Sequence, residues 1–125
     1  MAKRQRAIKT CNHGTWTEAE LRGHVRQVLR RLTMQRWIPA REAMKRARRP
    51  CVGKGRQRYE YQCAECGEWW PEKLTRRDHI VPAGSFTSWD DLPDFCRRLF
   101  AEVDGWQCLC VGCHDEKTKM ERKKR

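Results

Sequence analysis

The sequence predicts a small α+β protein in which a helical first half precedes a half built from short strands and helices. Apolar residues recur at helical spacing between residues 16 and 50, whereas residues 58–62 alternate as a strand does. With 125 residues, 38% of them hydrophobic, the chain has room for only a modest core, which a bound metal would reinforce. The second half carries two Cys-x-x-Cys pairs: Cys63 with Cys66, and Cys110 with Cys113.

Positive charge is concentrated in the first half. The formal net charge is +12, with 17 Lys and Arg against three acids in residues 1–58, and 11 against 13 in residues 59–125. Lys and Arg in such excess neutralise phosphates, so we expect a polyanionic partner, DNA above all. The predicted organisation is a basic disordered arm at 1–15, a basic helical DNA-gripping region at 16–50, a linker at 51–58, and a metal-bearing domain at 59–125 with a basic C-terminal tail.

The apolar runs and the cysteine pattern indicate the cellular compartment of the protein. No apolar run is long enough to span a bilayer, and the charged start is not followed by an apolar stretch, so we expect a cytoplasmic protein. In that setting Cys-x-x-Cys pairs indicate metal binding rather than disulfides. Cys108 competes with Cys110 for the second pair, and the two-residue spacing favours Cys110. Four cysteines are expected to be free thiols without a functional role: Cys11, Cys51, Cys96 and Cys108.

The first predicted helix has a well-specified start. Thr17 has the side chain of an N-cap, and Glu20 stands three residues later, where it completes a capping box. One face of this helix is apolar, formed by Leu21, Val25, Val28, Leu29 and Leu32. The other face is cationic, and both a solvated surface and contact with phosphates account for it equally well. This face carries Arg22, Arg26, Arg30 and Arg31.

Further elements follow from capping and breaking residues. A second short helix is predicted to begin near Pro39, which favours a first turn. Apolar spacing predicts a short helix over Trp89–Phe100, capped by Ser88 or Asp90, and good helix formers predict a last helix over His114–Lys123.

Two short strands are predicted around the first cysteine pair. Residues 58–62 lead into Cys63, and Leu74–Val81 is expected to be the returning strand of the same hairpin. The returning strand carries Asp78 and His79, and Pro82 ends it.

The residue types in the second half indicate two metal sites and a base. Four cysteines supply the thiolates that a tetrahedral structural Zn²⁺ requires. Asp78 and His114 are a carboxylate and an imidazole able to hold one divalent ion, and His79 is a separate imidazole able to deprotonate water. Each of these three has an ordinary structural explanation alone; together they match the needs of phosphodiester hydrolysis.

The run from Tyr61 to Thr118 resembles the zinc-bearing HNH nucleases, which have the ββα-metal fold. The resemblance covers about half of the chain, and a weaker likeness over residues 84–100 points to small HNH proteins of tailed bacteriophages. The residues that carry it are Cys63, Cys66, the Asp78-His79-Ile80-x-Pro82 run, and Leu109-Cys110-x-x-Cys113-His114 followed by Lys117-Thr118.

The resemblance assigns roles to individual residues. It implies that His79 is the general base and that Asp78 and His114 hold a catalytic Mg²⁺, Mn²⁺, Ni²⁺ or Zn²⁺, beside the structural Zn²⁺ of the four cysteines. The family's Asn, which orients the base histidine, falls at Gly105. We therefore expect a backbone carbonyl near Gly105, or the Asp104 carboxylate, to take over that hydrogen bond.

The function implied by the resemblance is a metal-dependent HNH-type DNA endonuclease, encoded by a bacteriophage and acting in the host cytoplasm. The alternatives are a non-catalytic, zinc-stabilised nucleic-acid-binding module and a packaging or recombination accessory. The expected partner is DNA, together with a second copy of the chain or a packaging or recombination protein. The residues expected to contact DNA are Arg22, Arg26, Arg30, Arg31 and Lys117.

Overall fold

The N-terminal segment forms a hairpin ahead of the first helix. The computed structural model describes residues 6–53 and 55–123. Strand β1 (Lys9–Cys11) pairs antiparallel with β2 (Trp16–Thr17), and Asn12, His13 and Gly14 all adopt positive φ in the turn between them. The sequence predicted a disordered arm here, and this is corrected for residues 9–15, because a three-residue left-handed turn closes the hairpin without apolar periodicity. The prediction for residues 1–5 lies outside the described residues.

Helix α1 (Glu18–Gln35) begins where the sequence predicts. The Thr17 hydroxyl accepts from the Glu20 backbone N–H at 3.1 Å, and the Glu20 carboxylate accepts from the Thr17 N–H at 3.3 Å, which confirms the capping box. Val25 and Leu29 pack against the core, but Val28 is 61% exposed, so the predicted apolar face is buried only in part.

Helix α2 (Ile38–Arg46) follows after a short turn. Pro39 lies in its first turn, as predicted. The Trp37 indole N–H donates to the carbonyl of Ala101 at 2.6 Å, and its ring packs edge-on against Phe100. The helix is therefore tied to a segment more than 60 residues away.

A three-stranded antiparallel sheet follows, in the order β3-β4-β5. Its strands are β3 (Arg48–Pro50), β4 (Tyr59–Gln62) and β5 (Trp69–Pro71). The β4 strand was predicted, whereas β3 was not. The predicted linker at 51–58 is thus the loop between two paired strands, and the Cys51 N–H donates to the Arg58 carbonyl at 2.8 Å where the loop closes.

The strand that carries the candidate catalytic residues pairs differently from the prediction. Strand β6 (Thr75–His79) does not return to β4; β5 does. Instead β6 pairs antiparallel with β7 (Trp106–Cys110), about 30 residues further along the chain. The short turn through Gly67, whose φ is +75°, lets β5 fold back directly onto β4. Both edges of β4 are therefore occupied, by β3 and by β5, and none is left for β6.

Helix α3 (Leu92–Leu99) supplies much of the core. A single 3-10 turn over Trp89–Asp91 precedes it, and the Ser88 hydroxyl accepts from the Asp90 N–H at 3.3 Å. The predicted helix is therefore divided, with Ser88 capping the 3-10 turn. The core cluster, against which α1 packs, consists of Ala83, Phe86, Phe95 and Leu99.

Helix α4 (Val111–Lys123) starts directly after β7, three residues earlier than predicted. The order β6, β7, α4 makes a unit of two antiparallel strands and a helix, and the predicted α+β class is confirmed. Within residues 6–53 and 55–123, we found no helix with the length and apolarity to cross a bilayer. Two residues of the predicted basic tail, Lys124 and Arg125, lie outside the described residues.

Candidate metal centres and cleft

The four cysteines of the two Cys-x-x-Cys pairs come together. All four sulfur atoms lie within 4.8 Å of one another. Tetrahedral Zn²⁺ with Zn–S bonds of about 2.3 Å separates its sulfurs by about 3.8 Å, so this group fits a closed structural zinc site. The members are Cys63, Cys66, Cys110 and Cys113.

Backbone hydrogen bonds hold both cysteine pairs in position. The Cys66 N–H approaches the Cys63 sulfur at 3.5 Å, and the Cys113 N–H approaches the Cys110 sulfur at 3.4 Å. The first pair is also fixed to β7, because the Ala64 N–H donates to the Cys108 carbonyl at 2.8 Å. Each Cys-x-x-Cys turn therefore presents its sulfurs together.

The acidities of the thiols are compatible with a cluster that binds a cation. Burial acts to raise the pKa of Cys63, but backbone N–H groups outweigh it and the pKa is lowered. The pKa of Cys113 is raised, by its hydrogen bond with the Cys110 thiol first, then by burial and by Cys63. One thiolate thus disfavours the next, and a coordinated metal ion removes that penalty.

Cys108 lies outside the cluster, which confirms the choice of Cys110. It is buried on β7, and burial raises its pKa to about 11. It is therefore a neutral, packed thiol. Of the others, Cys11, Cys51 and Cys96 are half-buried and are not among the grouped sulfurs within the described ranges.

Asp78 and His114 are brought together by strand pairing and by the first turn of α4. The Asp78 Oδ1 and His114 Nε2 atoms lie 3.8 Å apart. Gln107, which faces Asp78 in the register of β6 and β7, donates from its side-chain amide to Asp78 Oδ2 at 2.8 Å. The carboxylate is 12% exposed, so it is a largely buried acid held by defined donors.

Lys117 also contacts Asp78. Its ammonium donates to Asp78 Oδ2 at 2.5 Å and to the backbone carbonyls of His79 and Ile80. The sequence assigned Lys117 to DNA contact, and the structure places it one turn beyond His114 on the carboxylate itself. The ammonium neutralises much of the charge that Asp78 would offer to an ion.

His79 is oriented by a hydrogen bond that the sequence did not reveal. Its Nε2 lies 2.7 Å from the backbone carbonyl of Leu99, at the end of α3. Because a carbonyl only accepts, Nε2 carries the proton, and Nδ1 is the unprotonated nitrogen of the neutral ring. The ring lies 3.9 Å from the Trp106 ring, and burial lowers the pKa of His79, which favours the neutral form near pH 7.

The expected replacements for the family's Asn are not what orients His79. The Gly105 carbonyl accepts from the Ile80 N–H at 2.9 Å, and the Asp104 side chain is 98% exposed, 3.8 Å from Arg46. A Cβ at position 105 would lie 2.8 Å from the Cβ of Ala101. The position therefore suits glycine, and the orienting carbonyl comes from Leu99.

A cleft of about 570 Å³ opens between α1 and α4, with Asp78 and His79 in its lining. The α1 wall is fixed by two long-range contacts: Arg30 donates to the Gly84 carbonyl at 2.5 Å, and Arg77 to the Met34 carbonyl at 2.8 Å. The cationic residues that line it are Arg26, Arg30, Arg77 and Arg122, and the remaining polar residues are Gln27, Thr33, Ser85, His114, Thr118 and Glu121.

The four arginines predicted to contact DNA do not share one environment. Arg26 and Arg30 line the cleft, whereas Arg22 and Arg31 do not. The Arg22 guanidinium lies 6.0 Å from the centre of the Trp89 ring, and Arg31 is exposed. The helix therefore directs only part of its positive charge towards His79.

No protein-family model, curated protein or solved structure matches this chain. The comparisons neither support nor contradict the resemblance of residues 61–118 to HNH nucleases.

Proposed function

We propose that this protein is a metal-dependent endonuclease of the HNH type, which hydrolyses phosphodiester bonds in DNA within the cleft between α1 and α4. The observation that carries the proposal is the juxtaposition of His79, held by the Leu99 carbonyl, with the Asp78 and His114 pair in an arginine-lined cleft. A neutral imidazole, a carboxylate–imidazole pair and cationic walls are the groups that phosphodiester hydrolysis uses.

His79 has the role of general base. Its protonated Nε2 is committed to Leu99, so Nδ1 takes the proton from the attacking water. The water oxygen forms a bond to phosphorus while the bond between phosphorus and the 3′ oxygen breaks. Burial lowers the pKa of His79, which keeps the imidazole unprotonated at neutral pH.

Asp78 and His114 would hold the divalent ion. A carboxylate oxygen and an imidazole nitrogen 3.8 Å apart fit two positions of one coordination sphere, which leaves positions open for water and phosphate. When bound, the ion supplies Lewis-acid stabilisation of the negative charge that develops on the phosphate and the leaving oxygen. Gln107 fixes the second oxygen of Asp78 and so sets the orientation of the carboxylate.

The walls of the cleft favour a phosphate chain. Arg26 and Arg30 lie on the α1 wall, and Arg122 belongs to the α4 wall. Guanidinium groups on both sides of His79 would hold phosphates that flank the scissile bond. Because α1 forms one wall of the cleft, part of the positive charge of the first half would bind the substrate.

A second candidate is a zinc-stabilised nucleic-acid-binding module that does not cut. The observation that favours it is the Lys117 ammonium on Asp78 Oδ2, which supplies a positive charge where a nuclease needs a divalent ion. In this alternative Lys117 and the cleft arginines bind phosphate, and His79 serves only in packing against Trp106.

A plasmid-nicking assay separates the two candidates. Zinc-loaded wild type is expected to convert supercoiled plasmid to nicked or linear DNA when Mg²⁺, Mn²⁺ or Ni²⁺ is added. His79→Ala should lose at least about 100-fold of that activity, the usual size of a general-base contribution. His114→Ala, which removes a ligand of the divalent ion, should lose a comparable amount. His24→Ala is the matched control, because His24 stacks on Trp16 and lines no part of the cleft.

The opposite outcome is equally clear. Wild type that leaves plasmid intact with every ion, yet shifts DNA in a salt-dependent manner, would reject the nuclease and support the binding module. Equal losses in His24→Ala and His79→Ala would reject the assignment of the base. Zinc content and thermal melting of each variant show whether a loss reflects unfolding.

A further inference from the structure

The strands β3 and β4 and the loop between them, residues 48–62, form a second cationic feature that we call the basic ribbon. Residues 48–58 contain five Lys and Arg and no acid. None of the ribbon's described residues lines the cleft between α1 and α4. Its charge therefore has no role in the site described above. The basic residues are Arg48, Arg49, Lys54, Arg56 and Arg58.

The ribbon has a regular, closed geometry. Arg48 faces Tyr61 and Pro50 faces Tyr59 in antiparallel register, and the backbone hydrogen bond from Cys51 to Arg58 closes the loop at its base. Beyond that point nearly every described loop residue is exposed, including Arg56 and Arg58. The loop thus extends from a paired base with its side chains in solvent.

Both faces of the ribbon carry an arginine stacked on an aromatic ring. The Arg48 guanidinium lies 3.8 Å from the centre of the Tyr59 ring, and the Arg49 guanidinium lies 3.8 Å from the centre of the Trp69 ring. Because neighbouring residues of a strand point to opposite faces, the two stacks lie on opposite sides. Stacking holds each guanidinium in a defined place before any partner binds.

Glu60 offsets only part of this charge. It pairs with Arg49 at 2.5 Å, directly across the two strands. Arg48, Arg56 and Arg58 have no ion pair with an acid among those of the described residues. Positive charge therefore remains on the face of Arg48 and in the exposed loop at Arg56 and Arg58, whereas Arg49 and Glu60 offset each other on the opposite face.

We propose that the basic ribbon is a second nucleic-acid-binding element, which enters a groove of duplex DNA outside the cleft. The major groove admits a two-stranded β-ribbon and is bordered by phosphates. Strand β5 pairs with β4 only from Glu60 onwards, so residues 50–53 and 55–59 project beyond the sheet as two paired strand ends and a loop, with Arg56 and Arg58 exposed. Arg56 and Arg58 at the loop would contact phosphates of that duplex. The inference shares the DNA partner with the proposed function but does not depend on cleavage.

The test is a binding measurement on the full-length, zinc-loaded protein. The ribbon variant combines Arg56→Gln with Arg58→Gln, two exposed positions whose change should leave thermal melting unaltered. The control variant combines Arg97→Gln with Lys119→Gln, which removes the same charge from exposed positions on α3 and α4 outside the cleft. The probes are a duplex of about three helical turns and a single strand of the same length.

For the ribbon variant we expect duplex affinity near 0.1 M salt to fall roughly 10-fold to 100-fold, and the slope of log affinity against log salt to decrease by about 2. Loss on the single strand should be clearly smaller, and the control variant should resemble wild type. Wild-type binding by the ribbon variant, or equal losses in both variants, would overturn the proposal. An equal loss on duplex and single strand would overturn the groove assignment.

The result of this binding test does not depend on whether the protein is a nuclease. Wild type that binds duplex through the ribbon but never nicks plasmid would reject the nuclease and retain the ribbon. A ribbon variant that binds and nicks like wild type would reject the ribbon and retain the nuclease.

Discussion

The cysteine cluster and the Asp78–His114 pair both draw on β7 and α4, yet they differ in completeness. The cluster offers four sulfurs within 4.8 Å, with backbone N–H groups directed at two of them. The pair offers two donors 3.8 Å apart, and Lys117 occupies the other carboxylate oxygen. The cluster could complete a tetrahedral site with protein donors alone, whereas the pair, under the proposed function, would need water or substrate as further ligands.

This difference implies a structural role for the cluster and a catalytic role for the pair under the proposed function. A closed tetrahedral site leaves no position for a reactant, so a metal bound there would only hold the two cysteine pairs and the start of α4 together. An open pair beside a neutral histidine has positions left for a reactant. The comparison predicts that changes at the cluster act on folding and that changes at the pair act on cleavage.

The largest expected effect is at the cluster. Cys110→Ala should lose zinc and unfold the second half, because structural zinc contributes on the order of 10 kcal/mol in small domains. Cys108→Ala is the control, since Cys108 is equally buried two residues away on the same strand but lies outside the cluster; it should cost about 1 kcal/mol. Zinc stoichiometry and thermal melting measure both. Equal melting of the two variants would mean that the cluster does not stabilise the fold.

The next effect is at the pair. Asp78→Asn should keep the zinc content of wild type but lower divalent-ion-dependent nicking by about 100-fold or more, because a neutral amide is a poor ligand for a divalent ion. Asp94→Asn, at an exposed position on α3, should nick like wild type. If Asp78→Asn loses zinc as well, the two sites are not independent and the comparison fails.

A smaller effect tests the packing behind His79. Gly105→Ala should destabilise the protein by about 1–3 kcal/mol, because its Cβ would lie 2.8 Å from that of Ala101. Gly112→Ala has open space and lies in α4, so it should be neutral or slightly stabilising. Chemical denaturation gives both values. A Gly105→Ala variant as stable as wild type would show that the segment before β7 adjusts freely.

The smallest expected effect concerns the charge on the open pair. Lys117→Gln removes the ammonium from Asp78 and should tighten Mn²⁺ binding by roughly tenfold, as expected for loss of one nearby positive charge. Lys119→Gln, an exposed lysine paired with Glu116, should leave Mn²⁺ binding unchanged. Titration calorimetry on zinc-loaded protein gives the affinity. If neither wild type nor Lys117→Gln binds Mn²⁺, the result supports the non-catalytic binding module and not the nuclease.

Much of the local structure could be predicted from the sequence. The capping box of Thr17 and Glu20, the start of α2 near Pro39 and the choice of Cys110 over Cys108 were all confirmed. Each depends on residues a few positions apart, where chain geometry alone brings the groups together. The same holds for the α+β class, which follows from the change in periodicity along the chain.

The predictions that were wrong concern one long-range strand pairing and one local hairpin. Strand β6 was expected to pair with β4 but pairs with β7, and the predicted arm contains the β1–β2 hairpin. The family resemblance, the nuclease function and the roles of the site residues remain predictions.

By itself the sequence determined the chemical groups: four thiols in two Cys-x-x-Cys pairs, one carboxylate and two histidines as candidate ligands and base, and an excess of positive charge. Only the tertiary structure decided that the Leu99 carbonyl orients His79, that Lys117 contacts Asp78, and that Arg26 rather than Arg31 lines the cleft. The physical reason is that short-range geometry is set by the covalent chain. Contacts across tens of residues depend instead on which strands and helices pack together, and no local pattern encodes that choice.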